Sequence, residues 1–292
     1  MKIKRIAKIC AGQDGAIYGG ELFRLDAAGG CRVYDMGAIL RGECEEPSPI
    51  ATFRLDRAAE IVPHSNAVCF GSEFYEEGDE YPILYTNIYN NYAKSENKLI
   101  GVCLAYRIWR EGDKFRTKLL QLIEIGFTED SELWQATPEG HGVRPYGNFL
   151  VDTDKSAFWA FVMRDEEHGT AYFKFDLPGV RDGVTDGALG IKRVVLGKED
   201  VRAHFTCEYH RYIQGAALFC GRIYSAEGFS NDTKNRPAIR VVDLNTGAAE
   251  YVDIMDMGYV HEPEFVDFFG GECYYSDVAG NLYTVDFSDG LE

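Results

Sequence analysis

Gln13-Asp14-Gly15-Ala16-Ile17-Tyr18-Gly19-Gly20-Glu21-Leu22-Phe23 lines up without a gap on Glu264-Phe265-Val266-Asp267-Phe268-Phe269-Gly270-Gly271-Glu272-Cys273-Tyr274. Each stretch is a polar residue, a short apolar run, a Gly-Gly turn and a second apolar run, which is the signature of a tight β-hairpin. A third copy, Gln214-Gly215-Ala216-Ala217-Leu218-Phe219-Cys220-Gly221-Arg222-Ile223-Tyr224, keeps the spacing. Looser copies begin at Asn66 and Asn148. Self-similarity at a fixed period marks a repeat architecture, and five copies in 292 residues leave about 58 residues per unit.

Outward from each hairpin the pattern stays period-2, as in Tyr172-Phe173-Lys174-Phe175 and Arg240-Val241-Val242-Asp243-Leu244, with Gly, Asn and Asp between the runs. Further strands follow each hairpin: Cys31–Tyr34 and Ala51–Arg54 in the first unit, Ile100–Trp109 and Phe115–Ile125 in the second. Four strands per unit is the pattern of a propeller blade. The reading is therefore an all-β, five-bladed β-propeller of four-stranded blades in one domain, with blades near 11–57, 62–126, 142–205, 208–257 and 260–288. The last unit runs out after its third strand, Leu282–Phe287. The unassigned N-terminal strand Lys2–Ile9 is expected to complete it and close the ring, which removes an exposed sheet edge. A two-sheet sandwich is the main alternative, but it gives no reason for a fivefold register. One short helix is expected around Glu129–Gln135.

Composition limits the function. The formal charge is −17, with 30 Lys and Arg against 47 Asp and Glu, so a nucleic-acid binder with a broad basic face is not expected. No apolar run approaches the length of a membrane-spanning helix, and the N-terminus alternates charged with apolar residues, unlike a signal peptide. The 8 cysteines are scattered, with no C-x-x-C pair and no zinc spacing, so a reduced, cytoplasmic protein is the simplest expectation. No Gly-x-Ser-x-Gly elbow appears, and neither Gly-Gly pair opens a phosphate loop.

With its five units of four strands, the chain resembles at the level of architecture the five-bladed propellers of the arabinanase and fructosidase type. That resemblance implies a central site with carboxylates on one face. It covers the blade count, and no catalytic motif of those families is matched residue by residue.

In a propeller the first strand of each blade lines the central channel. Gln13, Asn66, Asn148, Gln214 and Glu264 stand at the same place in all five units, one amide or carboxylate per blade. They are either a polar ring satisfied by its own members and water or the floor of a ligand pocket. Next to them in the chain lie Asp14, His64, Arg144, Tyr146, His210, Tyr212, His261 and Glu262. The second-strand ends add Arg24, Asp26, the Asn87-Ile88-Tyr89-Asn90-Asn91-Tyr92 run, Arg164, Asp165, Glu227 and Ser276-Asp277. Amides alternating with phenols, as at Asn87 and Tyr89, suit a sugar ring and its hydroxyls. In His261-Glu262-Pro263-Glu264 the proline extends Glu262, and alternation should put both carboxylates on one side, about 7 Å apart. An inverting glycosidase spaces its two carboxylates in that range.

Glu262, Glu264 and Asp14 are thus the candidate acid/base groups. Gln13, His64, Asn66, Asn87, Tyr89, Arg144, Tyr146, Asn148, Arg164, His210, Gln214, Glu227 and His261 are the candidate ligand contacts. The expected activity is glycoside-hydrolase-like, or a lyase, on a small oligosaccharide. The alternative is a non-catalytic propeller that binds a ligand or protein through the same face. No cofactor is required, although His64, His261 and carboxylates could hold a cation in the channel.

Overall fold

Gly19 and Gly20 take φ of +60° and +85°, and Gly270 and Gly271 take +61° and +85°. These are the values of a two-residue type I′ hairpin turn. Cys220 and Gly221 do the same at +48° and +74°. Three of the repeats therefore share one turn, the turn that their sequences demand. The computed structural model describes residues 1–88, 101–126, 147–165, 167, 169–209 and 212–288, the side chains of 162–165 excepted. The helix expected around Glu129–Gln135 lies outside that set.

The strands form five sheets in a ring, the five-bladed propeller read from the repeats. β1 (Lys2–Lys8) comes first in the chain and belongs to the last sheet. Blade 1 is β2 (Gly15–Tyr18), β3 (Glu21–Leu25), β4 (Gly30–Asp35) and β5 (Ala51–Arg54). Blade 2 starts with β6 (Val68–Phe70), β7 (Leu84–Ile88), β8 (Val102–Glu111) and β9 (Lys114–Ile125). In blade 3, β10 (Asn148–Asp152), β11 (Ala157–Asp165) and β12 (Gly169–Asp176) precede a connection that carries β13 (Val184–Thr185) and β14 (Lys192–Leu196), and β15 (Ala203–Cys207) then completes the blade. Blade 4 is β16 (Ile213–Phe219), β17 (Arg222–Glu227), β18 (Ala238–Asp243) and β19 (Ala249–Asp253). Blade 5 is β20 (Pro263–Phe269), β21 (Glu272–Asp277), β22 (Asn281–Asp286) and β1, which pairs antiparallel with β22 from Lys2↔Asp286 to Lys8↔Asn281. The N-terminal strand closes the ring as expected.

One blade departs from the expectation of four strands. β14 runs back from blade 3 and pairs in parallel with β9, Lys192↔Gln121 to Leu196↔Ile125, and with β13 it makes blade 2 six-stranded among the described residues. The addition covers an outer edge that would otherwise stay open.

The core lies between blades rather than within them. Five apolar clusters of buried residues sit one at each blade interface, and successive residues of a strand serve different clusters. Leu22 faces blade 5 and Phe23 faces blade 2; Val241 faces blade 5 and Val242 faces blade 3. Both faces of the inner strands are thus buried, which is why many of them read as continuous apolar runs. Aromatic pairs reinforce the seams, with Phe23 against Phe70 at 5.1 Å between blades 1 and 2 and Phe219 stacked on Phe268 at 4.2 Å between blades 4 and 5. All eight cysteines are free.

Candidate functional site

Two β-bulges shape the channel mouth. Along β16 and β17 the pairing steps from Ile213↔Glu227 to Gly215↔Ala226, leaving Gln214 as the extra residue. Along β20 and β21 it steps from Pro263↔Asp277 to Phe265↔Ser276, leaving Glu264. A bulge interrupts alternation and re-aims the side chain that it carries. The simple alternation expected for Glu262 and Glu264 is therefore broken at Glu264. The two remain electrostatic neighbours, and each is met by an amide. The Gln214 side chain donates from Nε2 to Glu262 Oε1, and Gln13 Nε2 donates to Glu264 Oε1 at 3.5 Å. Glu262 is anchored through its backbone, with its N–H donating to Ser230 Oγ at 2.7 Å and its carbonyl accepting from Val278 N–H at 2.8 Å.

Burial sets the chemistry of this group. Glu264 is 2% exposed, and desolvation pushes its pKa up to about 9, against the pull of Arg24 and with help from Glu262, Asp14 and Asp277. Glu262 is only half-buried, and desolvation lifts it to about 7 while the bond from Gln214 holds it down. At neutral pH Glu264 is thus a neutral acid able to donate a hydrogen bond. Glu262 exchanges its proton near neutrality.

Beneath the mouth the channel is sealed. Asp14 has no solvent exposure, and its Oδ2 accepts from Val68 N–H at 2.9 Å and Ala216 N–H at 3.3 Å, tying blade 1 to blades 2 and 4. Burial raises its pKa well above the carboxylate range. Gly215 makes room for it, since a Cβ there would stand 2.8 Å from Asp14 Oδ1 and 2.7 Å from the Glu264 carbonyl oxygen. Arg24 is also fully buried, its guanidinium 5.3 Å from the centre of the Phe265 ring and its Nη2 donating to the Gly12 carbonyl at 3.3 Å. Desolvation lowers Arg24 to about 10, opposed by Glu264 and Asp14. Among the described residues its Nε and Nη1 have no hydrogen-bond partner, nor do Asp14 Oδ1 and Glu264 Oε2.

The structure sorts the candidates named above. Gln13, Gln214, Glu262 and Glu264 come together at the mouth. Asn66 and Asn87 do not reach it: both have no exposure, Asn66 Nδ2 donates to the Ile213 carbonyl at 3.1 Å, and Asn87 Nδ2 donates to Asn66 Oδ1 at 2.6 Å. Asn87 was expected in a wall and instead ties the floor. Asn148 is equally buried, and neither of its side-chain polar atoms has a partner among the described residues. Asp14, expected to act on a substrate, is a buried staple between blades. Glu227, expected at the rim, lies between blades 3 and 4 in an ion pair with Arg240 at 3.1 Å, each side chain 1% exposed. Arg240 continues from there to Cys207 Sγ at 3.0 Å and to the Glu208 carbonyl. His64 is half-buried and His261 exposed. Among the described residues no three His, Cys, Asp or Glu side chains are grouped so as to hold a metal ion. Tyr89, Arg144, Tyr146 and His210 lie outside the described residues, as does the side chain of Arg164 on β11.

Sequence reasoning missed Ser230, whose Oγ accepts from Glu262 N–H, and Phe229, which precedes it in the same blade-4 loop. The only local signal was the turn composition of Gly228-Phe229-Ser230-Asn231-Asp232.

No family model and no curated protein matches the chain. Among solved structures it is similar to the glutaminyl cyclase of Myxococcus xanthus, with 11% identity, a TM-score of 0.49, and coverage of 98% of this chain and 96% of that one. It is also similar to the hydrazine synthase of Kuenenia stuttgartiensis, with 9% identity, a TM-score of 0.43, and coverage of 90% of this chain and 60% of that one. Neither likeness assigns a function or a site.

Proposed function

We propose that the protein is carbohydrate-active and takes a small sugar at the channel mouth, over Glu262, Gln214, Gln13 and Glu264. The observation that carries the reading is Glu262: a half-buried carboxyl, hydrogen-bonded by an amide and lifted to about 7, next to the buried polar residues Asp14 and Glu264. A group that titrates near the working pH can both take and return a proton, as general acid/base chemistry at a glycosidic oxygen requires. The two amides supply donors and acceptors, and the buried Glu264 behind them is neutral, which suits a hydroxyl-rich neutral ligand.

The burial of Asp14 and Glu264, 0% and 2% exposed, favours a second reading in which the mouth binds a sugar without turning it over. An inverting hydrolase needs two carboxyls that both reach the substrate, and here only Glu262 is reachable without movement.

Thermal unfolding with mono- and oligosaccharides and with uronates tests the binding step, since a ligand at a hundredfold excess over its Kd stabilises the native state by about 2.7 kcal/mol. One sugar class should raise the midpoint, and Glu262→Gln with Gln214→Ala should abolish the rise. Hydrolysis of aryl glycosides that disappears in Glu262→Gln makes the protein an enzyme, whereas binding without turnover selects the second reading. A wild-type protein whose midpoint responds to no sugar overturns both.

A further inference from the structure

We infer that Tyr212 and Phe229 form a stacking platform, beside Glu262, for the apolar face of a pyranose ring. This rests on the sugar-binding reading above and narrows it to cyclic sugars with one C–H-rich face.

Three aromatic side chains are exposed among the described residues, namely Phe74, Tyr212 and Phe229. Two of them lie against each other at this site, with ring centroids 5.5 Å apart and planes tilted by 44°, and with exposures of 41% and 45%. Folding ordinarily buries such rings against the core, and the rings at the blade seams show that this protein does so elsewhere. The backbone holds these two outward. Tyr212 has φ of +60°, an uncommon conformation for a bulky residue, fixed because its carbonyl accepts from Gly228 N–H at 2.9 Å while Ile213 enters the sheet opposite Glu227.

Phe229 is held as firmly. Its N–H donates to the Asn235 carbonyl at 2.9 Å, and Asp232 Oδ1 accepts from Lys234 N–H at 2.8 Å and Asn235 N–H at 3.0 Å to close the loop. The same loop is bonded to the segment that carries Glu262, through Asn231 N–H to the Val260 carbonyl at 2.9 Å and through Glu262 N–H to Ser230 Oγ at 2.7 Å. The backbone that carries the aromatic pair is therefore bonded to the segment that carries the carboxyl. Gln214, which donates to that carboxyl, is two residues from Tyr212. An exposed pair of aromatic faces near amide and carboxyl groups matches a sugar ring, which shows carbon-bound hydrogens on a face and hydroxyls around its edge. An acyclic polyol has the hydroxyls without the face.

Saturation-transfer NMR and titrations with methyl β-D-glucopyranoside, methyl β-D-galactopyranoside, methyl α-D-mannopyranoside and sorbitol distinguish the cases. At least one pyranoside should bind, with saturation strongest on the hydrogens of one ring face. Tyr212→Ala and Phe229→Ala should each weaken it roughly three- to tenfold. Phe229→Leu, which keeps apolar bulk without a ring, should weaken it nearly as much, and sorbitol should not discriminate between the variants. Glu262→Gln should weaken the pyranoside while leaving its saturation pattern intact. If Glu262→Gln weakens binding but the aromatic variants retain wild-type affinity, the platform is wrong and the mouth remains the site. If Phe229→Leu binds as wild type, apolar cover and not stacking is at work, and the inference is likewise overturned. If wild-type protein binds no pyranoside, the platform and the sugar reading fall together.

Discussion

Replacing Glu264 by Gln should make the protein more stable at alkaline pH and leave it almost unchanged at pH 5. Glu264 is 2% exposed, and burial lifts its pKa from an ordinary 4.5 to about 9. Between those values the native state holds a proton that the unfolded chain has released. Stability then falls as pH rises, by at most about 1.4 kcal/mol per pH unit. Over the three units from pH 5 to pH 8 the ceiling is about 4 kcal/mol. Glutamine copies the shape of the neutral acid and cannot ionise, so the variant lacks this slope. Urea unfolding at pH 5, 6, 7 and 8 should show the stability of Glu264→Gln minus that of wild type growing from near zero to a few kcal/mol. Wild type should carry a still steeper total slope, because Glu262 and Asp267, each lifted to about 7, and Asp14 share its sign. The opposite arrangement, an ionised Glu264 paired with Arg24, predicts the reverse: the variant would lose stability at pH 8 through a buried, uncompensated guanidinium. That result, or parallel curves, would refute the reasoning.

Two further outcomes test the frame. Arg240→Ala should cost about 3–5 kcal/mol by stranding Glu227 between blades 3 and 4, while the double variant Arg240→Met, Glu227→Leu should recover most of it; equal losses in single and double variants on denaturant unfolding would contradict a buried pair. Asp14→Ala, which removes the acceptor shared by Val68 and Ala216 N–H, should cost about 2–4 kcal/mol, and Asp14→Asn, which keeps an oxygen there, clearly less; a thermal midpoint unchanged in Asp14→Ala would show that the staple is dispensable.

The blade count was legible because turn chemistry is local. Gly19-Gly20, Gly270-Gly271 and Cys220-Gly221 must take positive φ for the hairpin to close, and the strands flanking them must be apolar to fill the seams. The closing role of Lys2–Lys8 followed from one missing strand and one spare one. The strand Lys192–Leu196 was not assigned to blade 2, because chain order places it inside blade 3 and nothing local shows that it pairs backwards in parallel with β9. The same limit applies at the site. The polar ring could be read from five aligned residues, but its exposure could not, since that depends on how closely the blades approach at the axis. Glu227 shows the cost of reading polarity as exposure: its partner Arg240 lies 13 residues on, across a strand pair, and the two bury each other. Tyr212 was legible as a neighbour of the ring, but its pairing with Phe229 was not, since that depends on the positive φ of one and the loop bonds of the other.

The five units share one order of strands and differ at the axis, and that difference places the site off centre. A ring of equal repeats offers five equivalent positions around a narrow channel, where polar side chains that meet must either bond to one another or remain wet. Blade 2 meets this by sealing: Asn66 bonds to blade 4 and is itself bonded by Asn87, while Asp14 of blade 1 joins three blades. Among the described pairings of first with second strands, only those of blades 4 and 5 carry a bulge, and each bulge falls on the ring residue itself, Gln214 or Glu264. A bulge adds a residue without adding a bond in the ladder, so it widens the ring locally and turns one side chain out of the sheet's alternation. The loop that presents Phe229 leaves blade 4, and the segment that carries Glu262 enters blade 5, so the added groups converge on the sector that the bulges open. The repeat supplies the scaffold and the two bulges supply the asymmetry. A ligand bound here should contact blades 4 and 5, with Gln13 reaching in from blade 1, and leave blades 2 and 3 to hold the floor.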